Sequence, residues 1–396
     1  MKKKLSIVGK GTVGCMTLAH YLYHTDWDID WIFDPNVPTT SVGEGTTLPV
    51  PNALRTSLSW STNDLLELGG TIKQGIYKKH WGGSGDFIHP FPINEMGIHL
   101  SAVDLQHKIF DELHKHKRVN VIEDNIKDPH EIDSDFVMMC AGTPKNFDEY
   151  DSRDAISLNS CYVTQCYWDF PKFNHTLTIA RPYGWVFGIP LQNRCSIGYL
   201  FNRDINTLEE VKDDVVNVFE EFNLEPSDTT NYLEFNSYSR KNIFSEKVVY
   251  NGNAAFFLEP LEATSTGNAD GINRLAYDIW GEGIPAHESE YVNSVLLDGV
   301  EAMICCHYMA GSEWDNEFWR IAKEKSTAKF KEHLTRNNNL SDILSKALYT
   351  DSYGHDYKHP VIGVGEYGQW GFYSWRWNIE QLGLTDTIKS MLEEIK

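Results

Sequence analysis

The sequence predicts a mixed α/β and α+β fold, with an N-terminal α/β module interleaved along the chain with a second module of β-sheet and a mainly helical C-terminal part. Three observations carry that prediction. Residues 5–33 run strand, glycine turn, helix, strand. Residues 158–201 change to closely spaced short β runs, and the last third carries long apolar repeats of helical period.

Taken in order, Leu5–Val8 is a run of β-formers, Gly9–Gly14 a tight turn, and Val13–Tyr23 an apolar stretch of helical spacing. Ile29–Phe33 is a second apolar strand that stops at Asp34-Pro35. Two short helices are expected near 52–58 and 63–68, then an alternating segment over Thr71–Trp81 and a helix over Val103–Leu113. Val119–Ile122 and Phe136–Met139 add strands to the first module. The second module opens with β runs at 162–167, 176–180, 184–189 and 196–201, followed by a helix over Glu209–Phe222. Ala254–Leu258 is expected as a small buried strand, and Tyr291–Tyr308 and Phe318–His333 as long helices.

With 396 residues, 41% of them hydrophobic and 23% charged, the chain can bury two or three domain-sized cores. The formal net charge of −21 repels phosphate backbones and anionic lipid, which argues against nucleic acid and membrane partners. The seven cysteines fall at 15, 140, 161, 166, 195, 305 and 306 with no CxxC pair, a pattern of free thiols in a reducing compartment. The basic start is followed by an apolar stretch broken at Gly9-Lys10-Gly11, so neither a signal peptide nor a span is expected, and a cytoplasmic location follows.

Gly9-Lys10-Gly11-Thr12-Val13-Gly14 is a GxGxxG between a strand and a helix, the fingerprint of a Rossmann-like dinucleotide site. The first glycine permits the turn, the second lets backbone approach a pyrophosphate, and the third lets the helix pack on the sheet. Amides at the helix N-terminus, those of Thr12 and Val13 among them, would face the phosphates. Asp34 stands about 20 residues on, where an acidic group accepts from a ribose hydroxyl. The motif alone does not separate FAD from NAD, and a second copy is not visible.

Four further segments resemble the flavin-dependent tryptophan halogenases. Val42-Gly43-Glu44-Gly45-Thr46-Thr47-Leu48-Pro49 is similar to the family's flavin-contacting strip, with Gly45 at its small residue. Gly184-Trp185-Val186-Phe187-Gly188-Ile189-Pro190-Leu191 resembles the family's GWxWxIPL, with Phe187 at the second Trp. Phe257-Leu258-Glu259-Pro260-Leu261-Glu262-Ala263-Thr264-Ser265-Thr266 is similar to its Phe-x-Asp/Glu-Pro-Leu-Glu-Ser-Thr-Gly-Ile block, with Ala263 for Ser and Ser265 for Gly. His307-Tyr308 with Asp315, Phe318 and Trp319 resembles a family helix, read here as packing, without its Arg.

The resemblance implies a flavin-monooxygenase type of FAD module over 1–50, 101–145 and 245–305, and a substrate module over 51–100, 146–244 and 306–396. It implies FAD contacts at Gly9, Gly11, Thr12, Val13, Gly14, Asp34, Gly43, Glu44, Thr46, Trp185, Ile189, Pro190 and Leu258. A halide (chloride, bromide or iodide) would lie at Thr264 and Ser265, with Glu262 as the catalytic carboxylate facing a lysine. The family's lysine lies in K-x2-I-K-F-x-x-W. Counted back from Trp81 that position holds Tyr77, and strand parity moves the assignment to Lys79, with Lys78 on the opposite face as the alternative.

The implied reaction uses reduced FAD from a separate flavin reductase, oxygen and halide to form hypohalous acid, which the Lys/Glu pair directs onto a small electron-rich aromatic. Two alternatives stand beside it: a single-component FAD/NAD(P)H aromatic hydroxylase, and a non-catalytic FAD-binding protein. No metal site is expected, since His114 and His116 do not share a helical face and no HExxH is present.

Overall fold

The computed structural model describes residues 2–38, 43–83, 85–91, 95–155, 157–336, 338–349 and 368–395, and in the strand Gly43–Gly45 its backbone only. The chain divides into two compact units. The first comprises Met1–Ile72, Gly97–Ser152 and Tyr238–Asn293; the second comprises Lys73–Met96, Arg153–Ser237 and Ser294–Lys396.

The first unit is built on a five-stranded parallel sheet in the order Val248–Tyr250, Phe136–Met139, Lys4–Val8, Asp28–Phe33, Val119–Glu123. Its central strands are apolar on both faces, as a covered parallel sheet requires: Leu5, Ile7, Val8, Ile29, Trp31 and Ile32 are all buried. The helix Thr12–His24 makes the first crossover and buries one turn after another, from Gly14 to Tyr21. The segment expected as a strand over 254–258 is different: Gly252–Ala254 is a 3₁₀ turn, and only Phe256–Phe257 pairs, with Tyr238 and Ser239. Gly252 makes the difference. It sits at φ 58°, and a Cβ there would come within 2.9 Å of Val13 Cγ2, so the chain turns where a run of small residues suggests extension.

The second unit carries a seven-stranded sheet in the order Glu225–Glu234, Ser160–Tyr167, Arg194–Phe201, Gly184–Pro190, Thr176–Arg181, Gly75–Lys79, Phe87–Pro90. Every pairing is antiparallel except that of Thr176–Arg181 with Gly75–Lys79. One face is covered by the helix Leu208–Glu221, which starts from a Thr207/Glu210 capping box. Its Val211, Val215, Val218 and Phe219 follow the helical repeat and pack on Leu177, Ile179, Val186, Ile197, Tyr199 and Phe201. At roughly 1.5–3 kcal/mol per fully buried side chain, this layer is a main source of the unit's stability. The C-terminal part is helical: Ala286–Ala310, Glu317–Arg336, Asn338–Tyr349, Phe372–Gln381 and Thr385–Glu394. Among the described residues no helix is long and apolar enough to cross a membrane. All seven cysteines are buried free thiols.

Candidate active site

The glycine turn of the first unit combines two tightly packed glycines with one that faces open space. Gly9 has φ 120°, and a Cβ there would meet the Cys140 carbonyl oxygen at 2.6 Å. Around Gly14 a Cβ would lie 2.2 Å from the Gly9 oxygen, whereas at Gly11 nothing stands within 4 Å. Two glycines are therefore needed for packing, and the third opens the backbone outward. Gly11 is the N-cap of the helix Thr12–His24, which has no side-chain cap and no acidic residue in its first turn, so its amides and partial positive charge suit an anion.

Around this turn, the Thr12 hydroxyl accepts from Gln106 Nε2 at 3.2 Å, and Val13 packs over Gly252. Asp34 lies just past the end of the strand Asp28–Phe33. It accepts from the Asn36 amide and Nδ2 at 2.9 Å each and from Asn125 Nδ2 at 2.8 Å, and these bonds hold its carboxyl below the usual range. The Thr46 hydroxyl accepts from the Ile98 amide at 3.0 Å, and the buried hydroxyls of Thr47 and Thr266 have no partner among the described residues. Leu258 is buried. Of the resembling strip, Gly43 and Glu44 lie in a strand paired with Gly97–Ser101, while Val42 and the Glu44 side chain lie outside the described residues.

Gly14→Ala is expected to force the helix away from the turn. Overpacking of this kind costs roughly 1–3 kcal/mol, and affinity for the dinucleotide expected at this turn, FAD if the resemblance holds, should fall at least about tenfold. Titration by flavin fluorescence checks it; unchanged affinity would mean the turn does not hold the cofactor.

In the same unit, Glu262 and Ala263 occupy consecutive left-handed conformations, φ 70° and 55°, within the short turn Leu261–Ala263. Non-glycine residues pay roughly 1–2 kcal/mol each for that region, and such strain clusters at functional sites. Glu262 is buried. The helix Ser265–Trp280 follows at once, again without a side-chain cap or an acidic first turn. Thr264 is buried and Ser265 exposed. Because Ser265 is the first helical residue, its Cβ needs no left-handed backbone.

The second unit presents a row of side chains across five strands. Phe87, Lys78, Thr178, Phe187 and Gly198 are successive partners, and therefore share the face opposite the helix Leu208–Glu221. Gly198 makes room for Phe187, whose Cζ would be 2.1 Å from a Cβ there. Trp185 stands next on that face, with its indole nitrogen buried and unpartnered among the described residues. Ile189, on this face too, and Pro190, which ends the strand, are both buried. Trp81 closes the region. Its Nε1 donates to the Thr178 carbonyl at 3.1 Å, and its ring meets His307, Tyr308 and Trp319 edge-on at 5.5, 5.7 and 5.5 Å.

Lys79 does not lie on this face. With Tyr77 it points toward the helix Leu208–Glu221, where its ammonium pairs with Glu221 and lies 4.0 Å from Asp86, 17% exposed. Lys78 is fully buried and hydrogen-bonded to His307 Nε2. Lys79 therefore keeps the face of Tyr77, as alternation requires, and Lys78 takes the opposite one; His80, at φ 62°, interrupts the pleat between the lysines and Trp81. His307 belongs to a segment expected only to pack. Tyr308, Phe318 and Trp319 do pack together around Trp81, but His307 also reaches the lysine, and no spacing in the sequence announces it.

The sequence profile described as "Tryptophan halogenase" matches residues 4–126 and 112–352. A 7-chloro-L-tryptophan 6-halogenase of Kutzneria sp. (strain 744) is 26% identical over 161 residues, covering 38% of this chain and 30% of that protein. A tryptophan 6-halogenase of Streptomyces toxytricini is 25% identical over 158 residues, 38% of this chain and 29% of its own. The matched stretch thus spans under a third of the curated relatives. In fold, the chain is similar over its whole length to a flavin-dependent halogenase from Brevundimonas sp. BAL3, with a TM-score of 0.75, 18% identity and 96% of that chain covered. The tryptophan halogenase from Shewanella frigidimarina gives 0.73, with 16% identity and 93% covered.

Proposed function

The chain belongs to the tryptophan halogenase family, and from that premise we propose that it is an FADH2-dependent halogenase acting on an electron-rich, indole- or phenol-like aromatic. FAD is assigned to the first unit and the aromatic to the second. Bound flavin, reduced by a separate reductase, supplies the oxidising chemistry by which oxygen and a halide yield hypohalous acid.

The turn at Gly9, Gly11 and Gly14 would hold the pyrophosphate, and the orphaned hydroxyls of Thr47 and Thr266 fit a polar ligand seated in this unit. The uncapped start of the helix after Thr264 suits the halide. Lys78 is the lysine that receives hypohalous acid, in place of Lys79. Trp185, Phe187 and Phe87 wall its face with aromatic rings and keep water from a reactive oxidant. The aromatic carbon takes the halogen by way of Lys78, the oxygen leaving as water, and Glu262 is assigned as the carboxylate that balances the charge of the ring cation.

The observation that carries this reading is the fully buried Lys78 in a row of aromatic side chains. The test is incubation with a flavin reductase, NADH, FAD, each halide in turn and a panel of indoles and phenols, read by mass spectrometry. A halogen-shifted product is expected. Hydroxylated product, or bleaching of bound flavin by NADPH without the reductase, would reject the reading.

A further inference from the structure

We propose that His307 is the proton acceptor of Lys78, converting a buried ammonium into the amine that takes up halogen. The inference rests on the function proposed above and adds to it a base and a proton path. His307 Nδ1 lies 2.8 Å from the Met303 carbonyl oxygen. A carbonyl can only accept, so Nδ1 carries the hydrogen and the neutral ring keeps its lone pair on Nε2. That lone pair meets the Lys78 ammonium. Both side chains are fully buried, and the edge of Trp81 against the imidazole limits its rotation.

The chemistry needs this step because an ammonium has no lone pair with which to attack. Lys78 gives a proton to His307 Nε2, and the free amine attacks the halogen of hypohalous acid. The nitrogen–halogen bond forms, the oxygen–halogen bond breaks, and one amine hydrogen leaves with the hydroxide as water. The aromatic carbon then takes the halogen, and the nitrogen recovers the proton held by the imidazolium. The cationic ring loses its proton to the amine, which restores the ammonium. The sum is hypohalous acid plus arene giving haloarene plus water.

Cys306, on the same helix, senses the Lys78 charge, but burial pushes its thiol well up, so it stays protonated. Tyr308 turns its ring to Trp81, and Trp81 and Trp319 offer only indoles. Beyond Trp81, His80 is paired with Glu313 at 3.1 Å.

Two variants separate proton acceptance from placement. His307→Gln keeps an acceptor near Nε2 without a base, whereas His307→Phe keeps only the shape. In His307→Gln, aromatic halogenation at pH 7 is expected to fall at least about tenfold, with KM for the aromatic within about twofold, and to recover as pH rises toward roughly 9–10 and solvent deprotonates the lysine. Hypohalous acid released to a diffusible trap should be unchanged. A His307→Gln enzyme with the parent rate at every pH would overturn the proposal. A second readout needs no turnover: nitrogen-15 spectra of histidine-labelled protein should find His307 as the Nδ1–H tautomer at pH 7, and an Nε2–H tautomer would equally overturn it. If the parent halogenates nothing, the functional reading fails, and the tautomer still decides whether Nε2 is a base toward Lys78.

Discussion

Lys78→Met is expected to lower aromatic halogenation at least about 10³-fold, while FAD affinity and the melting temperature stay close to the parent's. Methionine nearly matches the lysine stem in length and fills the same buried volume, so what is lost is the nitrogen and its hydrogen bond to His307. Hypohalous acid should still form and escape to a diffusible trap, so oxygen consumption continues while coupling to the aromatic collapses. Lys79→Met is the matched control. Its ammonium is tied to Glu221 at a partly exposed edge, a class of pair worth about 0–1 kcal/mol, and activity within about threefold of the parent is expected. The decisive comparison is product per flavin oxidised in the two variants. If Lys79→Met loses product and Lys78→Met retains it, the lysine has been misassigned.

That pair of residues also marks where sequence patterns stop being informative. The first strand, glycine turn, helix and second strand are legible because each has its own local cause: β-formers, glycines that packing demands, an uncapped helix start and a chain stop at Asp34-Pro35. Alternation on Gly75–Lys79 is legible too, but alternation gives two faces without saying which is buried. Tyr77 and Lys79 look as suited to an inner face as Ile76 and Lys78, and only the partners Thr178 and Phe87 settle it. His80, left-handed at φ 62°, separates the strand from the aromatic landmark at Trp81. The strand Glu225–Glu234 was invisible for the opposite reason. It is an exposed edge with most of its side chains in solvent, so no apolar repeat is needed to form it. His307 illustrates a third limit, because a buried histidine paired to a lysine more than two hundred positions away leaves no local trace.

The second large effect concerns stability: Glu301→Ala should destabilise the second unit by about 3–5 kcal/mol, a fall in melting temperature on the order of 10 °C. Glu301 Oε2 accepts from Arg153 Nη1 at 2.8 Å and from His333 Nε2 at 3.1 Å, with Glu301 and His333 fully buried. Arg153 also reaches Asp298 at 3.2 Å, and Arg336 closes the network on Asp298 at 2.6 Å. Asp298, Glu301 and His333 have the spacing of metal ligands, yet the Arg153 guanidinium already bridges both carboxylates, so this is an ion-pair network joining two helices to the segment at 153. Removing the glutamate takes one of two carboxylates from the Arg153 guanidinium and the carboxylate partner from the buried His333 imidazole, which is the costly way to break such a network. Burial opposes ionisation of Glu301, but the His333 hydrogen bond and the Arg153 charge prevail and hold its carboxyl at about 2. A carboxyl depressed in the folded state contributes fully above its unfolded value near 4.5 and loses that contribution as pH falls toward 2. The parent should therefore lose stability faster than Glu301→Gln between about pH 5 and 2, by roughly 3 kcal/mol in all. Denaturant melts of both proteins across that range measure the difference, and parallel curves would show that the network does not hold the acid ionised.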